Sequence, residues 1–205
     1  LQSRVETVRS SSNGWLLQFE DGTEVDGFDW VISTTPAPQT RAIFGSAADE
    51  LEEVRFAPGF AIMGLTSERP KWDAAVVRDT AISWIAGTDT RPGRPESWGM
   101  VAQASGEWSG QHLEAPHDQV LKALLESLAD LDVDLIEPQL HRWRFARTSC
   151  PLGRDFWIDQ NRGLAACGDW CLGDRVEDAF TSAMSLTQTL SQSHSGLYAA
   201  QRLAR

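Results

Sequence analysis

Residues 164–183 decide the fold of this chain, and their sequence is Leu164-Ala-Ala-Cys-Gly-Asp-Trp-Cys-Leu-Gly-Asp-Arg-Val-Glu-Asp-Ala-Phe-Thr-Ser-Ala183. A short apolar run ends in Gly168-Asp169, and a glycine turn then leads into a helix start that is rich in small residues. This layout supplies a strand end, an acidic side chain beside it, and free backbone N–H groups at a helix N-terminus. Together these three elements suit a dinucleotide.

The second half of such a site is a glycine-rich turn, Gly-x-Gly-x-x-Gly, near the start of the fold. The 205 residues contain no such turn. The sequence therefore predicts only part of a dinucleotide site, and we expect the chain to be the C-terminal part of a longer fold.

The composition indicates a well-packed globular protein, because 41% of the residues are hydrophobic and nine are Trp. A net charge of −11 disfavours nucleic acid or an anionic membrane as a partner, since both repel a polyanion. The simpler alternative is that the acidic residues only keep the protein soluble. No apolar run approaches the ~20 residues that a membrane helix needs.

Three cysteines, Cys150, Cys167 and Cys171, do not form a disulfide framework and fit a reducing compartment, so we predict a cytoplasmic protein. Cys167 and Cys171 could be combined with His141 as metal ligands. No Cys-x-x-Cys or His-x-x-x-His pair supports that combination. The pattern favours buried thiols and no metal site.

The first 38 residues predict a small antiparallel meander followed by a strand. Trp15, Leu17 and Phe19 alternate with Leu16, Gln18 and Glu20, which is the period of a half-buried strand. Asp21-Gly22 predicts a hairpin turn. Residues 28–32 predict the next strand, which ends in a loop because Pro36 and Pro38 lack an N–H group.

Residues 47–147 predict a sheet with a covering helix. Residues 47–54 predict a short helix, and residues 116–131 predict a longer one whose apolar residues recur at i, i+4 and i+8. Strands are predicted at 57–66, 74–78, 81–86, 98–104 and 139–147, with a loop at 91–95. On the last strand, Trp143 and Phe145 should share one face, and Arg142 and Arg144 the other.

Residues 151–190 again predict dinucleotide architecture. Strands are predicted at 156–159 and 163–167, and a helix at about 177–190. Ala179, Ser182 and Ala183 on this helix are small enough for close backbone approach. The stretch after Ser191 is typical of a frayed end.

The segment Gly168-Asp169-Trp170, followed by Gly173-x-Arg175-Val176-Glu177 and the small-residue helix, resembles the C-terminal flavin motif of the FAD-dependent amine oxidase superfamily. The likeness is greatest to its renalase-like bacterial branch. Three other stretches fit that branch in the same order, and the likeness covers about residues 1–190. They are Arg4-Val-Glu6 with Gly14-Trp15, then residues 29–38, and His141-Arg-Trp-Arg-Phe145 followed by Pro151-Leu-Gly153.

The resemblance implies a mixed α+β and α/β fold. Part of a Rossmann-type FAD-binding domain would comprise residues 1–40 and 148–191. An antiparallel-sheet substrate domain with a covering helix would comprise residues 41–147, and residues 192–205 would be a tail.

The resemblance also implies roles for individual residues. Asp169, after Gly168, would hydrogen-bond sugar hydroxyls of the cofactor, and the Val176 N–H would meet the pyrimidine edge of the flavin. The remaining implied cofactor contacts are Val5 at the adenine, and Thr35, Pro36, Arg175 and Glu177. Trp84, Trp98 and Trp170 are candidates for an aromatic wall over the flavin.

Each role has a structural alternative. Val5 could be an ordinary sheet residue, Trp84 and Trp98 could be core residues, and Arg175 and Glu177 could form a surface ion pair. Arg142 and Arg144 could meet a phosphate-bearing substrate or line a solvated strand face. Asp178 departs from the small residue that the family has there, and it adds a charge close to the flavin position.

No nucleophile or general base stands out, which agrees with flavin chemistry. The resemblance implies an oxidoreductase that transfers a hydride from a reduced small molecule, a dihydronicotinamide or an amine, to FAD, with O2 reoxidising the flavin to give H2O2. The alternatives are a non-catalytic binding module on the same scaffold and a truncated fragment that is inactive by itself.

We expect the chain alone to bind FAD weakly or not at all. Without the rest of the fold, apolar side chains should be partly exposed and promote self-association through the bare sheet surface. These residues are Phe28, Trp30, Ile32 and Leu164.

Overall fold

The structure is a computed structural model that describes residues 3–69, 72–88 and 98–203, with side chains described up to residue 192. The strands in chain order are β1 (Val5–Ser11), β2 (Gly14–Phe19), β3 (Glu24–Phe28), β4 (Val31–Ser33), β5 (Arg55–Leu65), β6 (Ala74–Val76), β7 (Ile82–Gly87), β8 (Gly99–Ala104), β9 (Ile136–Cys150), β10 (Trp157–Asp159) and β11 (Leu164–Ala166). The helices are α1 (Ala37–Phe44), α2 (Gly106–Gln111), α3 (His117–Ala129) and α4 (Val176–Leu203), with 3-10 helices at Gly45–Glu53 and Asp169–Cys171.

The chain divides into two compact units. Unit 1 consists of Leu1–Arg55 and Thr148–Arg205, and unit 2 consists of Phe56–Arg147. Both α and β elements occur in each unit, and most strand pairs are antiparallel. The predicted mixed fold class is confirmed.

The first sheet of unit 1 is the predicted antiparallel meander β1-β2-β3. The Asp21-Gly22 hairpin is confirmed, with Gly22 at a φ of +82°. The Asp21 carboxylate accepts hydrogen bonds from the Thr23 hydroxyl and N–H, which lower its pKa. Gly14 must be glycine, because a Cβ there would lie 2.5 Å from the Phe28 carbonyl oxygen.

The second sheet of unit 1 has the order β10-β11-β4. β11 pairs parallel with β4 and antiparallel with β10, so it is the central strand. Helix α4 packs Leu186 against Ala165 and Cys167 of this region. The expectation that Leu164 is exposed was wrong, because its side chain is buried in the core of the described residues.

Four further expectations for unit 1 need correction. The predicted strand at 28–32 is instead split between the end of β3 and β4. The segment after Pro36 forms helix α1 with Pro38 in its first turn, where a missing N–H group costs no helical hydrogen bond. The predicted helix at 47–54 is a 3-10 helix. Helix α4 continues to Leu203 rather than ending near Leu190.

Unit 2 is a five-stranded sheet of order β6-β7-β8-β5-β9 with helix α3 on one face. The predicted stripe of α3 is confirmed, since Val120, Leu124 and Leu128 are fully buried in the core with Phe60 and Ile62 of β5. The predicted strands of this unit all form. The loop predicted at 91–95 lies outside the described residues.

Strand β9 has the predicted two faces. Arg142 stacks on the Phe60 ring and donates to the Ala115 carbonyl, and Arg144 forms two hydrogen bonds with Glu114. The Arg144 guanidinium lowers the pKa of the Glu114 carboxyl. Both arginines therefore bind groups of their own unit.

Candidate functional site

The candidate site of unit 1 begins where two parallel strands end. β4 and β11 run parallel, with Ser33 opposite Ala166. Their carboxyl ends therefore meet at one edge of the sheet, where α/β folds bind ligands. Thr35 and Pro36 follow β4, and Gly168-Asp169 follows β11, so the two predicted segments lie side by side.

Two hydrogen bonds join the two segments. The Trp170 indole N–H donates to the Thr35 carbonyl oxygen at 3.1 Å, and the Cys167 N–H donates to the Ser33 carbonyl oxygen at 3.0 Å. Gly168 must be glycine here, since a Cβ on it would lie 2.5 Å from Trp170 Nε1. Close packing against the Trp170 ring therefore explains the glycine of the Gly-Asp-Trp sequence.

Three hydroxyl groups fix the turn after β4. The Ser33 hydroxyl lies 2.8 Å from that of Thr40 and 2.9 Å from that of Thr35. The Thr40 hydroxyl also lies 3.1 Å from the Thr35 carbonyl oxygen. Ser33 and Thr40 are buried, so these contacts occur away from water and hold Thr35 in place.

Thr40 was missed by the sequence analysis because helix α1 was predicted as loop. The signal was present in Pro36-Ala-Pro38, since proline is favoured in the first turn of a helix.

A cavity of about 620 Å³ in unit 1 lies beside this turn. Val5 of β1 and Thr35 both line it, with Ile32 of β4 and Ile43 of α1. The structure therefore brings these two predicted contacts together in one cavity. Ile32 is exposed, and Phe28 and Trp30 are half-buried, so all three side chains are partly exposed as expected.

The start of α4 is held by Asp178. Its carboxylate accepts a 3.0 Å hydrogen bond from the Arg175 N–H and lies where a Cβ on Gly173 would come within 2.5 Å. Asp178 stands where the resembling family has a small residue. It places an acidic group in the first turn of α4. Among the described residues, Arg175 and Glu177 are exposed and form no ion pair with each other.

Asp169 is half-buried between β11 and α4. One of its carboxylate oxygens accepts the Trp170 N–H at 2.8 Å. The Gly168 N–H donates to the buried Ser182 hydroxyl of α4 at 3.1 Å. These bonds fix the Gly168-Asp169 backbone at the sheet edge.

Two thiols lie under this segment. Burial raises the pKa of Cys167, and burial raises the pKa of Cys171 to about 11. Both thiols are therefore neutral at physiological pH, whereas Cys150 is exposed. Within the described residues, no cluster of three or more His, Cys, Asp or Glu side chains could bind a metal ion.

The three predicted wall tryptophans lie in different places. Trp170 is buried in unit 1, Trp84 is half-buried on β7 of unit 2, and Trp98 is exposed before β8. Trp170 packs inside its unit, as its bond to Thr35 requires. Their role as a wall over a flavin stays a prediction.

Three of the solved structures that resemble this chain match it over more than nine-tenths of its length. A protein of Exiguobacterium sp. 255-15, named as a candidate protoporphyrinogen oxidase, matches with a TM-score of 0.70 at 14% identity, covering 93% of this chain and 47% of that chain. Putrescine oxidase bound to putrescine matches at 0.65 and 12% identity, covering 93% and 49%. Reduced UDP-galactopyranose mutase matches at 0.64 and 12%, covering 92% and 46%.

The chain shares its fold with these solved structures, which are named as oxidases and a mutase. At these identities the likeness concerns the fold alone. The chain spans about half the length of the solved structures that it matches. No protein-family profile matches it.

Unit 1 brings together residues for which the resemblance implies contacts to FAD. Val5 and Thr35 line one cavity, and Gly168-Asp169 lies at the shared strand edge. The glycine-rich phosphate turn is absent from the sequence.

Among the described helices, none combines the length and the apolar character that a membrane span requires.

Proposed function

We propose that this chain is the C-terminal part of an FAD-dependent oxidoreductase of the renalase-like, amine-oxidase type. The observation that carries the proposal is the meeting of Thr35 and Gly168-Asp169 at the carboxyl ends of parallel β4 and β11, joined by the Trp170–Thr35 hydrogen bond. The amine oxidase fold and the sequence motif support it independently.

The proposed domains follow the chain. Residues 1–40 and 148–191 form the C-terminal portions of a Rossmann-type FAD-binding domain, and residues 41–147 form the substrate-binding domain. The compact units have the same boundary at Thr148, whereas residues 41–55 belong to unit 1.

The residues of unit 1 have separate proposed tasks. Val5 would contact the adenine of the cofactor, and Thr35 and Pro36 would border its adenosine. Asp169 offers its second carboxylate oxygen to sugar hydroxyls, and its first oxygen keeps it in place through Trp170. Val176 offers an N–H group at the positive end of α4, with Arg175 and Glu177 on either side.

FAD, when bound, would supply the redox chemistry of the proposed reaction, a hydride transfer from the reduced substrate with O2 as the final electron acceptor, which is reduced to H2O2. The chain orients the cofactor and excludes water with buried residues such as Trp170. The substrate is a small reduced molecule, a dihydronicotinamide or an amine. We propose a cytoplasmic location from the three unpaired cysteines.

Visible absorption tests the proposal. The protein that contains this chain, purified in full, should show the bands of oxidised flavin, and they should bleach when a reduced dihydronicotinamide or an amine is added without O2. Asp169→Ala should lower the flavin content at least tenfold, whereas Glu107→Ala, on α2 of unit 2, should leave it unchanged. A colourless full-length protein that does not take up added FAD would contradict the proposal.

Calorimetric titration tests the isolated chain. The 205 residues lack the phosphate-binding turn, so FAD should bind weakly or not at all. Micromolar or tighter binding would show that the C-terminal half of the site is sufficient. If both forms fail to bind flavin, the non-catalytic binding module becomes the better explanation. A flavin-containing full protein beside an inactive chain identifies the chain as a part that needs the remainder.

A further inference from the structure

Three dipeptides in the meander β1-β2-β3 place glycine directly after Asn or Asp. They are Asn13-Gly14, Asp21-Gly22 and Asp26-Gly27. In such a dipeptide the glycine nitrogen can attack the side-chain carbonyl carbon and close a five-membered succinimide ring, because glycine has no Cβ to obstruct the approach. Water then opens the ring at either carbonyl, and opening at the original main-chain carbonyl leaves isoaspartate.

The fold protects the dipeptide Asp21-Gly22. The Gly22 N–H donates to the Phe19 carbonyl oxygen at 3.0 Å. The Asp21 carboxylate accepts hydrogen bonds from the N–H and the hydroxyl of Thr23 instead of from Gly22. Both groups that would react are therefore held by other partners.

The dipeptide Asn13-Gly14 is restrained by the strand ladder. Gly14 is paired with Ser11 across the tight turn of the β1–β2 hairpin. In the pair that flanks such a turn, each residue donates its N–H to the carbonyl oxygen of the other. The Gly14 nitrogen is therefore occupied while the hairpin is formed, although Asn13 is exposed.

The dipeptide Asp26-Gly27 differs from both because it lies at an irregularity of β3. The β2–β3 register shifts there, and within the described residues neither Asp26 nor Gly27 has a paired residue on β2. β3 is also an edge strand of its sheet. Gly27 has a φ of +94°, and a Cβ on it would meet no atom within 4 Å. This stretch of main chain therefore has room to rearrange.

The reacting groups of Asp26 and Gly27 are already in contact. The Gly27 N–H donates to Asp26 Oδ1 at 2.7 Å, so the carboxyl group lies against the nitrogen that would attack it. The Ser11 hydroxyl donates to the same oxygen at 2.6 Å, which fixes the carboxyl group and draws electron density from it. Asp26 and Gly27 are both exposed, so water can leave and enter directly from solvent.

We propose that Asp26 is a self-modification site, at which the chain forms a succinimide and then isoaspartate. The Gly27 nitrogen bonds to Asp26 Cγ and loses its proton, and a Cγ–O bond breaks with release of one water molecule. Hydrolysis at the other ring carbonyl returns one water molecule, so the change is an isomerisation that needs no enzyme, oxidant or cofactor. The product carries one extra methylene group in the main chain of β3. This proposal is independent of the proposed function.

Peptide mapping of the 205-residue chain tests the proposal. The folded chain is incubated at mildly acidic pH, and isoaspartate is measured at positions 21 and 26, the matched Asp-Gly dipeptides of one sheet. Isoaspartate should form at least fivefold faster at position 26. In urea the two rates should converge, because the fold no longer distinguishes the dipeptides. Equal rates in the folded chain, or a faster rate at position 21, would overturn the proposal.

Two variants of Asp26 sharpen the test. Asp26→Asn carries Asn-Gly at positions 13 and 26, and each loss of ammonia adds a negative charge that ion-exchange chromatography detects. Position 26 should deamidate at least fivefold faster than position 13. Asp26→Glu is the matched control, since it keeps the charge but would need a six-membered ring, and it should stay unmodified at position 26. Far-UV circular dichroism confirms that each variant is folded, and deamidation of folded Asp26→Asn that is as fast at position 13 would refute the assignment.

Discussion

Helices α3 and α4 carry the same apolar pattern with opposite burial. Val120, Leu124 and Leu128 of α3, at i, i+4 and i+8, are each 0% exposed. Val176, Phe180 and Met184 of α4 have the same spacing and are 85%, 68% and 44% exposed. The comparison teaches that periodicity predicts a helix and its apolar face, but the covering partner must come from elsewhere in the fold.

The largest expected effect is on the buried stripe of α3. Leu124→Ala should lower the free energy of unfolding by about 2–5 kcal/mol, because it leaves a cavity in the core of unit 2. Urea unfolding followed by circular dichroism measures it. A loss below about 1 kcal/mol would mean that the core collapses around the smaller side chain.

The buried side of α4 should give an intermediate effect. Ser182→Ala removes the acceptor of the Gly168 N–H, and an unsatisfied buried N–H costs about 1–3 kcal/mol. Thr187→Ala is the control, since its hydroxyl only bonds the Ala183 carbonyl of the same helix on an exposed face. Equal urea midpoints for the two variants would contradict a structural role for Ser182.

Alkaline pH should lower the free energy of unfolding through the buried thiol of Cys171. The pKa of Cys171 is raised to about 11 in the folded chain, so the unfolded thiol ionises first as the pH rises above its ordinary value. The stability that the neutral Cys171 thiol contributes is fully present below the ordinary pKa of a thiol. It is lost as the pH rises towards about 11, at no more than about 1.4 kcal/mol per pH unit. Wild type should lose stability faster than Cys171→Ala between these values in urea unfolding at stepped pH. Parallel pH profiles would show that the thiol does not contribute.

The exposed stripe of α4 should matter least for stability. Phe180→Ser should change the free energy of unfolding by less than about 0.5 kcal/mol, because the side chain is largely in water already. It should reduce self-association at high concentration, which size-exclusion chromatography with light scattering measures. A destabilisation as large as that of Leu124→Ala would show that the face is covered in solution.

Much of the fold could be predicted from the sequence because local signals were strong. The α3 stripe, the Asp21-Gly22 turn and the alternation along β9 each depend on neighbouring residues. Helix α1 was missed because prolines end a strand and also begin a helix, and only tertiary packing of Thr40 and Phe44 decides between these uses. The burial of Leu164 was missed because it depends on tertiary packing around β11, whose parallel partner β4 is far away in sequence.

The candidate site was predictable in its residues but not in its contacts. The motif pointed to Gly168-Asp169 and Thr35, whereas the bond between Trp170 and Thr35 spans 135 positions and leaves no local pattern. The same holds for the Ser33–Thr40 contact, since isolated hydroxyl residues are common and only their shared burial distinguishes them.

The parallel pairing of β4 with β11 has a consequence for synthesis on the ribosome. The partners of the Trp170–Thr35 bond are 135 positions apart, and at about 5–20 residues per second roughly 7–27 s separate their translation. All of unit 2 emerges in that interval, and its strand pairs are closer in sequence. We therefore expect unit 2 to fold first, while β4 remains an unpaired edge that is exposed to chaperones and proteases until β11 is made.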